Sequence, residues 1–424
     1  LYGNDSVHGH ANLRDAVIFP HNIGLGAADN VELTREIGRI TAVESAATGV
    51  TWSFSPCLAV ARDLRWGRTY ESFSSDPEIV SRLGRAITEG LQADLDTGAG
   101  VLACLKHFVA DGATEGGVDR GNAVLTPAEL ETIHLYPYLA SLEAGAATVM
   151  ASYSSLNGTP MHASRRLITD VLKEALGFDG FVVSDWAALD TLPGNRGAQV
   201  ATAINAGVDM VMVPERYVPF IRTLTSLAQD GTVPMERIDD AVYRIVLTKI
   251  RMGLFEDGVA DPELEPLAGS AEHRAVARQA VAESQVLLEN DGVLPLSRDH
   301  RVLLFGQAAD SVGIQSGGWT LTWQGTTGNE NEGTTILEAL ASEVGERNVT
   351  HFTSITALAD VNPANYDVSV FVGGELPYAE GSGDDPRPSV SESDLASASR
   401  LDRLGLPVVS ILISGRPLLL DGLE

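Results

Sequence analysis

The first two-thirds of the chain alternate short apolar runs with longer amphipathic segments. The apolar runs are rich in β-branched and aromatic residues and predict strands at 50–55, 101–108, 147–153, 181–183 and 208–214. Between these runs apolar residues recur every three or four positions, which indicates helices. Helix-capping residues stand at the expected starts: Asn30, Asp76, Thr126 and Ser164. Strict alternation of strand and helix implies parallel strands joined by right-handed crossovers.

This pattern predicts an α/β fold in which residues 1–255 form a (β/α)8 TIM-like catalytic barrel. Five strands, a truncated one at Leu1 and a marginal segment at 17–19 fall short of eight. The chain also opens inside a strand-like run without an initiator Met. We therefore expect the barrel to be incomplete at its N-terminus, and the lack of a targeting segment then says nothing about localisation.

The last third of the chain predicts a second domain. Residues 256–272 combine glycine and proline with little periodicity and are interpreted as a linker. Residues 273–424 begin with a helical pattern and then alternate strands and helices. The strands are predicted at 302–305, 366–373 and 407–414, and the helices at 335–344 and 391–404. We expect a partial α/β sandwich with a mainly parallel sheet, incomplete at its C-terminus.

Composition and charge narrow the classes of partner. Of the 424 residues, 44% are hydrophobic and 20% are charged, as in an ordinary globular chain. The formal net charge of −28 repels nucleic acid and anionic membrane, and no apolar run reaches membrane-spanning length. Cys57 and Cys104 both lie in apolar surroundings, which favours core residues over a disulfide or a metal pair. The oligomeric state stays open.

Functional side chains lie at or just beyond the end of each predicted barrel strand. They are Asp5, Arg68, Lys106, His107, Met150, Tyr153, Asp185 and Trp186. Barrel enzymes carry their catalytic groups at the C-terminal ends of the strands, so five such ends in succession predict an active site. Each residue alone has a structural alternative: Asp185 could cap a helix, Arg68 could pair with Glu71, and His107 could be a core histidine.

The second domain adds two glycine-rich loops. The first, 373–385, follows a strand and contains Glu375 and Glu380; its spacing differs from that of a calcium-binding helix–loop–helix. The second, 317–325, carries Trp319 and a second tryptophan, which either pack under the loop or line a ligand cleft. We expect neither a metal nor a cofactor.

Several ordered motifs give the chain a resemblance to a known family. The motifs include Tyr2-Gly-Asn-Asp5, Arg65-Trp-Gly-Arg68, Lys106-His-Phe108, Ser184-Asp-Trp186 and Gly374-Glu-Leu-Pro-Tyr-Ala-Glu380. Over essentially its whole length the chain resembles the family-3 glycoside hydrolases, especially the plant exo-β-glucanases and related bacterial β-glucosidases.

The resemblance implies a retaining, exo-acting β-glucosidase or β-glucan glucohydrolase without a cofactor. Asp185 would be the nucleophile and Glu380 the general acid/base, with Glu375 as the alternative. The residues that would bind the sugars are Asp5, Arg68, Lys106 and His107 around the terminal glucose, Met150 and Tyr153 beside the nucleophile, and Trp186 and Trp319 around the next sugar. A periplasmic or secreted location is favoured by the same resemblance.

Two departures and four alternatives remain open. Arg120 and Thr191 stand where plant members carry a Glu and an Arg, so the linkage preference is undetermined. A β-xylosidase is one alternative. A β-N-acetylglucosaminidase is a second, although the loop 109–119 lacks the histidine of that branch. The third is a Schiff-base lyase that uses Lys106, and the fourth is a carbohydrate-binding protein without turnover.

Overall fold

The computed structural model describes residues 1–255 and 261–423, which form two compact units. The first unit comprises Leu1–Ala11 and Ala16–Gln285, and the second comprises Asn12–Asp15 and the chain from Val286 onward. Residues 256–260 of the predicted linker lie outside the described residues. The helix Ala271–Glu283, predicted to open the second domain, packs in the first unit. The compact units therefore divide after Gln285.

Eight strands lie in the described part of the first unit. They are β1 (Gly3–Asn4), β2 (Trp52–Ser53), β3 (Leu102–Phe108), β4 (Asn122–Ala123), β5 (Thr148–Ala151), β6 (Ser155–Leu156), β7 (Thr159–Pro160) and β8 (Phe181–Val183). Five of them form a parallel sheet in the order β1-β2-β3-β5-β8, which follows the order of the chain. The others form a small sheet in the order β4-β6-β7.

Helices connect the parallel strands. They are α1 (Asn22–Ala28), α2 (Val31–Ala47), α3 (Pro77–Gln92), α4 (Pro127–Glu129), α5 (Tyr136–Glu143), α6 (Arg196–Ala206), α7 (Tyr217–Gln229), α8 (Met235–Arg251) and α9 (Ala271–Glu283), with π-helical segments at Leu130–His134 and Arg166–Ala175. Asn30, Asp76 and Thr126 cap their helices as predicted. Ser164 does not: the segment at 166–175 starts after Arg165 and has no side-chain cap.

Two predicted strands are reduced to single bridges. Residues 208–214 make one parallel bridge, between Met210 and Val183, and 17–19 makes one antiparallel bridge, between Ile18 and Gly9. The reason at 208–214 is local. The Oδ2 atom of Asp209 accepts the amide hydrogen of Val182 at 2.8 Å, so a side chain takes a position that a backbone carbonyl would fill in a regular ladder.

The parallel strands of the first unit are buried on both faces. Leu105, Val149 and Val182 point to the larger core, shared with the helices. The opposite face carries a smaller apolar cluster: Trp52, Leu102, Cys104, Met150, Phe181 and Val183. Burial on both faces is typical of parallel sheets covered by helices on one side and closed on the other, as in a barrel.

The second unit is built on a parallel four-stranded sheet. Its strands are β9 (Val302–Phe305), β10 (Val349–Phe352), β11 (Val368–Gly374) and β12 (Val408–Ile413), in the order β10-β9-β11-β12. Its helices are α10 (Val312–Ser316), α11 (Ile336–Val344) and α12 (Glu392–Asp402). Separate apolar clusters cover the two faces of this sheet, which is the layering of an α/β sandwich. Strand β10 was not predicted from the sequence.

Among the residues the structure describes, none of the helices combines the length and apolar character that crossing a membrane demands.

Candidate active site

Lys106 and Asp5 form an ion pair where β1 and β3 end. The Nζ atom of Lys106 lies 2.9 Å from Oδ1 of Asp5, and the lysine side chain is almost fully buried while the aspartate is one-third exposed. Burial alone would lower the pKa of Lys106, but the nearby carboxylates of Asp5 and Glu71 raise it above its usual value. Lys106 is therefore a permanent cation beside an accessible carboxylate.

Arg68 is fixed by a second, fully buried carboxylate. Its Nε and Nη2 atoms donate to the two oxygens of Glu71 at 2.8 and 2.9 Å. The helical turn Thr69–Glu71 makes this pairing possible, since it brings residues three positions apart together. Burial raises the pKa of Glu71, but the attraction of Arg68 outweighs it and lowers the pKa to about 2. Arg68 thus pairs with Glu71, the structural alternative, and also lies in the predicted site. Its Nη2 atom is 3.2 Å from Nε2 of His107.

His107 is a neutral ring held between two polar groups. Its Nδ1 lies 2.8 Å from Oδ2 of Asp111, and its Nε2 accepts from Arg68. Burial, together with the cations of Arg68 and Lys106, lowers the pKa of His107 well below its usual value. A neutral ring that accepts at Nε2 carries its proton on Nδ1, which donates to Asp111.

Asp185 extends from the end of β8 toward this cluster. Its Oδ2 lies 3.8 Å from Nε2 of His107, and 15% of the side chain is exposed. Its Oδ1 accepts the amide hydrogen of Trp186 at 2.6 Å, so the carboxylate orientation is fixed from its own backbone. The structure thus brings together five of the predicted residues of the first unit: Asp5, Arg68, Lys106, His107 and Asp185.

The remaining predicted residues of the first unit differ in exposure. Met150 is buried in the apolar cluster of the sheet, whereas Trp186 is 62% exposed. The hydroxyl of Tyr153 donates to the carbonyl oxygen of Trp186, and the guanidinium of Arg120 lies 4.2 Å from the Tyr153 ring centroid. Trp186 therefore offers an exposed aromatic face next to Asp185, and Tyr153 holds its backbone.

The sequence analysis missed one residue of this site, His162. Its Nε2 accepts the amide hydrogen of Asp185 at 3.1 Å, and its side chain is buried. The stretch Thr159-Pro-Met-His162 contains no catalytic motif that would single out this histidine. Its contact with Asp185 spans 23 residues and depends on the fold of the intervening chain.

In the second unit, both carboxylate oxygens of Glu375 accept hydrogen bonds. Its two oxygens accept from the Tyr378 hydroxyl, the Ser414 hydroxyl, the Gly415 amide and the Arg416 guanidinium at 2.8–3.1 Å. This network ties the loop after β11 to the loop after β12. Glu375 therefore holds the loop together.

Glu380 follows in the same loop, in a turn with the left-handed φ of 55°. The loop is held by the side chain of Gln324, which accepts a hydrogen bond from the Ala379 amide at 2.9 Å and donates one to the Ala379 carbonyl at 3.3 Å. Gln324 belongs to the same loop as Trp319, whose amide donates to the carbonyl of Trp323 at 3.0 Å. The two glycine-rich loops of the sequence analysis are thus joined by hydrogen bonds.

One cluster of the described residues has the composition of a metal site: Cys57, His107 and Asp111. Burial raises the pKa of the Cys57 thiol far above its usual value, so the sulfur stays protonated and is a poor ligand. Both nitrogens of His107 are already occupied by Asp111 and Arg68. The cluster fits a hydrogen-bonded pair beside a core thiol better than a metal site.

Comparison with known proteins assigns the family. Residues 1–248 match the profile of the glycosyl hydrolase family 3 N terminal domain, and residues 285–424 match that of the C-terminal domain. The chain belongs to glycosyl hydrolase family 3. Both the resemblance inferred from the motifs and the predicted pair of α/β folds are confirmed.

Relatives within family 3 align along the whole chain. A lysosomal beta glucosidase of Dictyostelium discoideum is 33% identical across 99% of this chain and 55% of its own length. A periplasmic beta-glucosidase of Salmonella typhimurium is 31% identical across 99% of this chain and 59% of its own length. The crystal structure of an exo-1,3/1,4-beta-glucanase from a Pseudoalteromonas species is 41% identical, with a TM-score of 0.93 over 100% of this chain and 54% of that one. The chain thus spans between 54% and 59% of the length of these family 3 proteins.

Proposed function

We propose that this protein is an exo-acting β-glucosidase that releases glucose from the non-reducing ends of β-glucosides or β-glucans and retains the anomeric configuration. The observation that carries the proposal is the position of Asp185: an oriented, partly exposed carboxylate beside a neutral histidine and two fixed cations. The names of the relatives, two β-glucosidases and an exo-β-glucanase, support the same substrate class.

Asp185 is the proposed nucleophile. Cleavage of a glycosidic bond develops positive charge at the anomeric carbon, and a carboxylate that attacks this carbon forms a covalent glycosyl-enzyme. The cluster that contains Asp185 also holds two cations, Lys106 and Arg68, each paired with a carboxylate. Asp185 then leaves when water attacks the same carbon, so the configuration is retained.

Glu380 is the proposed general acid/base, which protonates the departing oxygen and later activates water. The hydrogen bonds of Glu375 support this choice over the alternative. The oxygens of Glu375 already accept from four groups, one of them a guanidinium, so this carboxylate is occupied in holding the loop.

Sugar recognition is assigned to the charged groups around Asp185. Asp5 can accept from a sugar hydroxyl, and Lys106 and Arg68 can donate to one, in charge-assisted hydrogen bonds. The exposed ring of Trp186 can stack against the next sugar.

The experiment that tests the nucleophile is covalent trapping. A 2-deoxy-2-fluoro-β-glucoside should label Asp185, with the modified peptide identified by mass spectrometry. Asp185→Asn should lower kcat for nitrophenyl β-glucoside by more than about a thousandfold. Asp190→Asn is the matched control, because Asp190 is an exposed neighbour that pairs with Arg196. Wild-type turnover by Asp185→Asn, or a label elsewhere, would exclude the assignment.

The acid/base is tested separately. Glu380→Ala should lose about 10²- to 10⁴-fold in kcat with poor leaving groups and much less with dinitrophenyl glucoside, which needs no protonation. Added azide should yield glucosyl azide with that variant. If Glu375→Gln shows this behaviour and Glu380→Ala does not, the roles are reversed.

The alternatives have distinct signatures. A β-xylosidase would hydrolyse nitrophenyl xyloside with a higher kcat/KM than the glucoside. A Schiff-base lyase is disfavoured, because the raised pKa of Lys106 keeps its amine protonated; borohydride trapping on Lys106 would reinstate it. Binding of glucosides without turnover of any aryl glycoside would indicate a carbohydrate-binding protein.

The proposed location is outside the cytoplasm, in the periplasm or as a secreted protein. The support is that the relative from Salmonella typhimurium is a periplasmic beta-glucosidase. Fractionation of the source cells with an activity assay tests it, and activity confined to the cytosolic fraction would contradict it.

A further inference from the structure

His162 reaches Asp185 because a tight hairpin turns the chain back. Strands β6 and β7 pair antiparallel around Asn157-Gly158, whose φ angles of 49° and 82° are those that an Asn-Gly hairpin turn requires. The amide of Met161 then donates to the carbonyl of Ser154 at 3.1 Å, and the Met161 side chain is fully buried in the core. The next residue, His162, is thereby fixed with its ring buried beside the loop after β8.

The amide of Asp185 lies beyond the strand that precedes it. The ladder between β5 and β8 ends at Val183, which pairs with Met150, and the amide of Ser184 donates to Met210. The Asp185 amide instead donates to the ring of His162. The carbonyl of Asp185 is held from the other side, by the Ser184 hydroxyl at 2.9 Å and the Ala188 amide at 3.2 Å.

The hydrogen bond to Asp185 determines the protonation of His162. Since Nε2 accepts, the ring must be neutral with its proton on Nδ1. Burial lowers the pKa of His162 to about 4, against a smaller opposing effect of its hydrogen bond to the Ser152 backbone. The neutral acceptor form is therefore the stable one at neutral pH.

We propose that His162 is a positioning residue for the nucleophile: its Nε2 lone pair fixes the amide of Asp185, and with it the direction of the carboxylate. The link from backbone to carboxylate is direct, because Oδ1 of Asp185 is held by the amide of the next residue, Trp186. If the Asp185 amide loses its acceptor, this peptide can rotate and the carboxylate turns with it. The inference rests on the function proposed above, since it assigns His162 through Asp185.

Two substitutions separate the acceptor from the packing of the ring. His162→Gln keeps a neutral oxygen acceptor at about the reach of Nε2, whereas His162→Leu keeps the volume and removes the acceptor. We expect His162→Leu to lower kcat and the rate of 2-fluoroglucosylation about 10- to 100-fold, with KM nearly unchanged. His162→Gln should stay within about threefold of wild type. His351→Gln, a histidine of the second unit that bonds to the Gly306 carbonyl, is the matched control and should leave both rates unchanged.

The outcomes distinguish the two proposals. Equal rates in His162→Leu and His162→Gln, both with a wild-type Tm, would overturn the positioning role. A readout independent of activity is the two-bond ¹H–¹⁵N spectrum of the histidine rings, with the His162 signals assigned by their loss in His162→Gln. We expect a proton on Nδ1 and none on Nε2. A proton on Nε2 would overturn the hydrogen bond itself. An inactive wild-type protein with the expected ring signals would overturn the proposed glucosidase function and leave the hydrogen bond intact.

Discussion

Glu71 and Asp111 show how neighbouring buried carboxyl groups acquire opposite properties. Glu71 makes two hydrogen bonds to one guanidinium, and its pKa falls to about 2 although burial opposes this. Asp111 is bonded instead to the neutral ring of His107; burial raises its pKa to about 6, and Arg68 offsets only part of the rise. Both carboxyl groups are buried, so their pKa values differ because their hydrogen-bond partners differ.

Glu71→Gln should destabilise the protein by about 3–5 kcal/mol at pH 7, because it leaves the buried Arg68 without its counter-charge. The pKa of Glu71 is lower in the folded than in the unfolded state. The carboxylate therefore contributes about 3 kcal/mol above pH 4.5, and this is lost as the pH falls toward about 2. Urea denaturation of wild type and variant at pH 7 and pH 3 measures the destabilisation and its dependence on pH. The deficit of the variant should shrink at pH 3, and a deficit that is constant with pH would contradict the assignment.

Asp111→Asn should remove a pH dependence of the opposite sign. The pKa of Asp111 is higher in the folded state, so its contribution is present below the unfolded value near 4 and is lost as the pH rises through about 6. This contribution of Asp111 to the free energy of unfolding is about 3 kcal/mol. The stability of wild type should therefore fall relative to Asp111→Asn between pH 4 and pH 7. The variant should also lose roughly tenfold in kcat/KM, since His107 loses its charged partner.

At the scale of elements, β8 is held on one edge by a side chain, because the amide of Val182 donates to the carboxylate of Asp209. Asp209, fully buried, accepts from the Val182 amide and from Lys173 at 2.7 Å, and also pairs with Arg237. These contacts connect β8 with the helical segment 166–175 and with α8. The strand that precedes Asp185 is therefore anchored by an ionic cluster around Asp209.

Asp209→Asn should cost about 3–5 kcal/mol, because Lys173 and Arg237 lose their fully buried counter-charge and keep only the partly exposed Asp240. Differential scanning calorimetry together with urea titration measures the loss. We also expect kcat to fall, since β8 positions Asp185. Asp239→Asn, an exposed carboxylate on α8, is the control. A variant of Asp209 with unchanged stability would show that the cluster does not hold the strand.

Local signals in the sequence were enough for much of the fold. Asn30, Asp76 and Thr126 cap helices because capping depends on only three or four neighbouring residues. Strand β10 was missed because its sequence, Val-Thr-His-Phe, is short and partly exposed, with no clear alternation. The segment 208–214 has the composition of a strand, but the side chain of Asp209 replaces part of its ladder.

The site was predictable as a set of residues but not as a set of contacts. Asp5 and Asp185 follow β1 and β8, and Lys106 lies near the end of β3, so the rule for parallel sheets places them together. The partners that decide their chemistry come from elsewhere: Glu71 from a helical turn and His162 from a hairpin. The spacing of three residues allowed the sequence to suggest the pairing of Glu71 with Arg68, whereas the role of His162 arises only when the chain is folded.

At the scale of the whole molecule, the net charge of −28 is spread over a chain with a calculated isoelectric point near 4.6. Such an excess of one sign destabilises the compact state through mutual repulsion. The ion pairs described above concern individual sites and do not remove this average effect.

Added salt should therefore raise the Tm at pH 7.5 by a few degrees between about 10 and 200 mM NaCl, where the Debye length falls from about 30 to below 10 Å. At pH 5, close to the isoelectric point, the same addition should have little effect. Differential scanning fluorimetry at both pH values checks this. A Tm that falls with salt at pH 7.5 would show that screening of favourable ion pairs dominates.

The order β1-β2-β3-β5-β8 has a practical consequence for engineering. Because the sheet repeats the order of the chain, each stretch between two strands borders the stretches that precede and follow it in the gene. A library that randomises one such stretch therefore changes one part of the first unit and leaves the stretches between distant strands unchanged. Selecting such stretches one after another is thus a rational route to altering one part of the proposed site at a time.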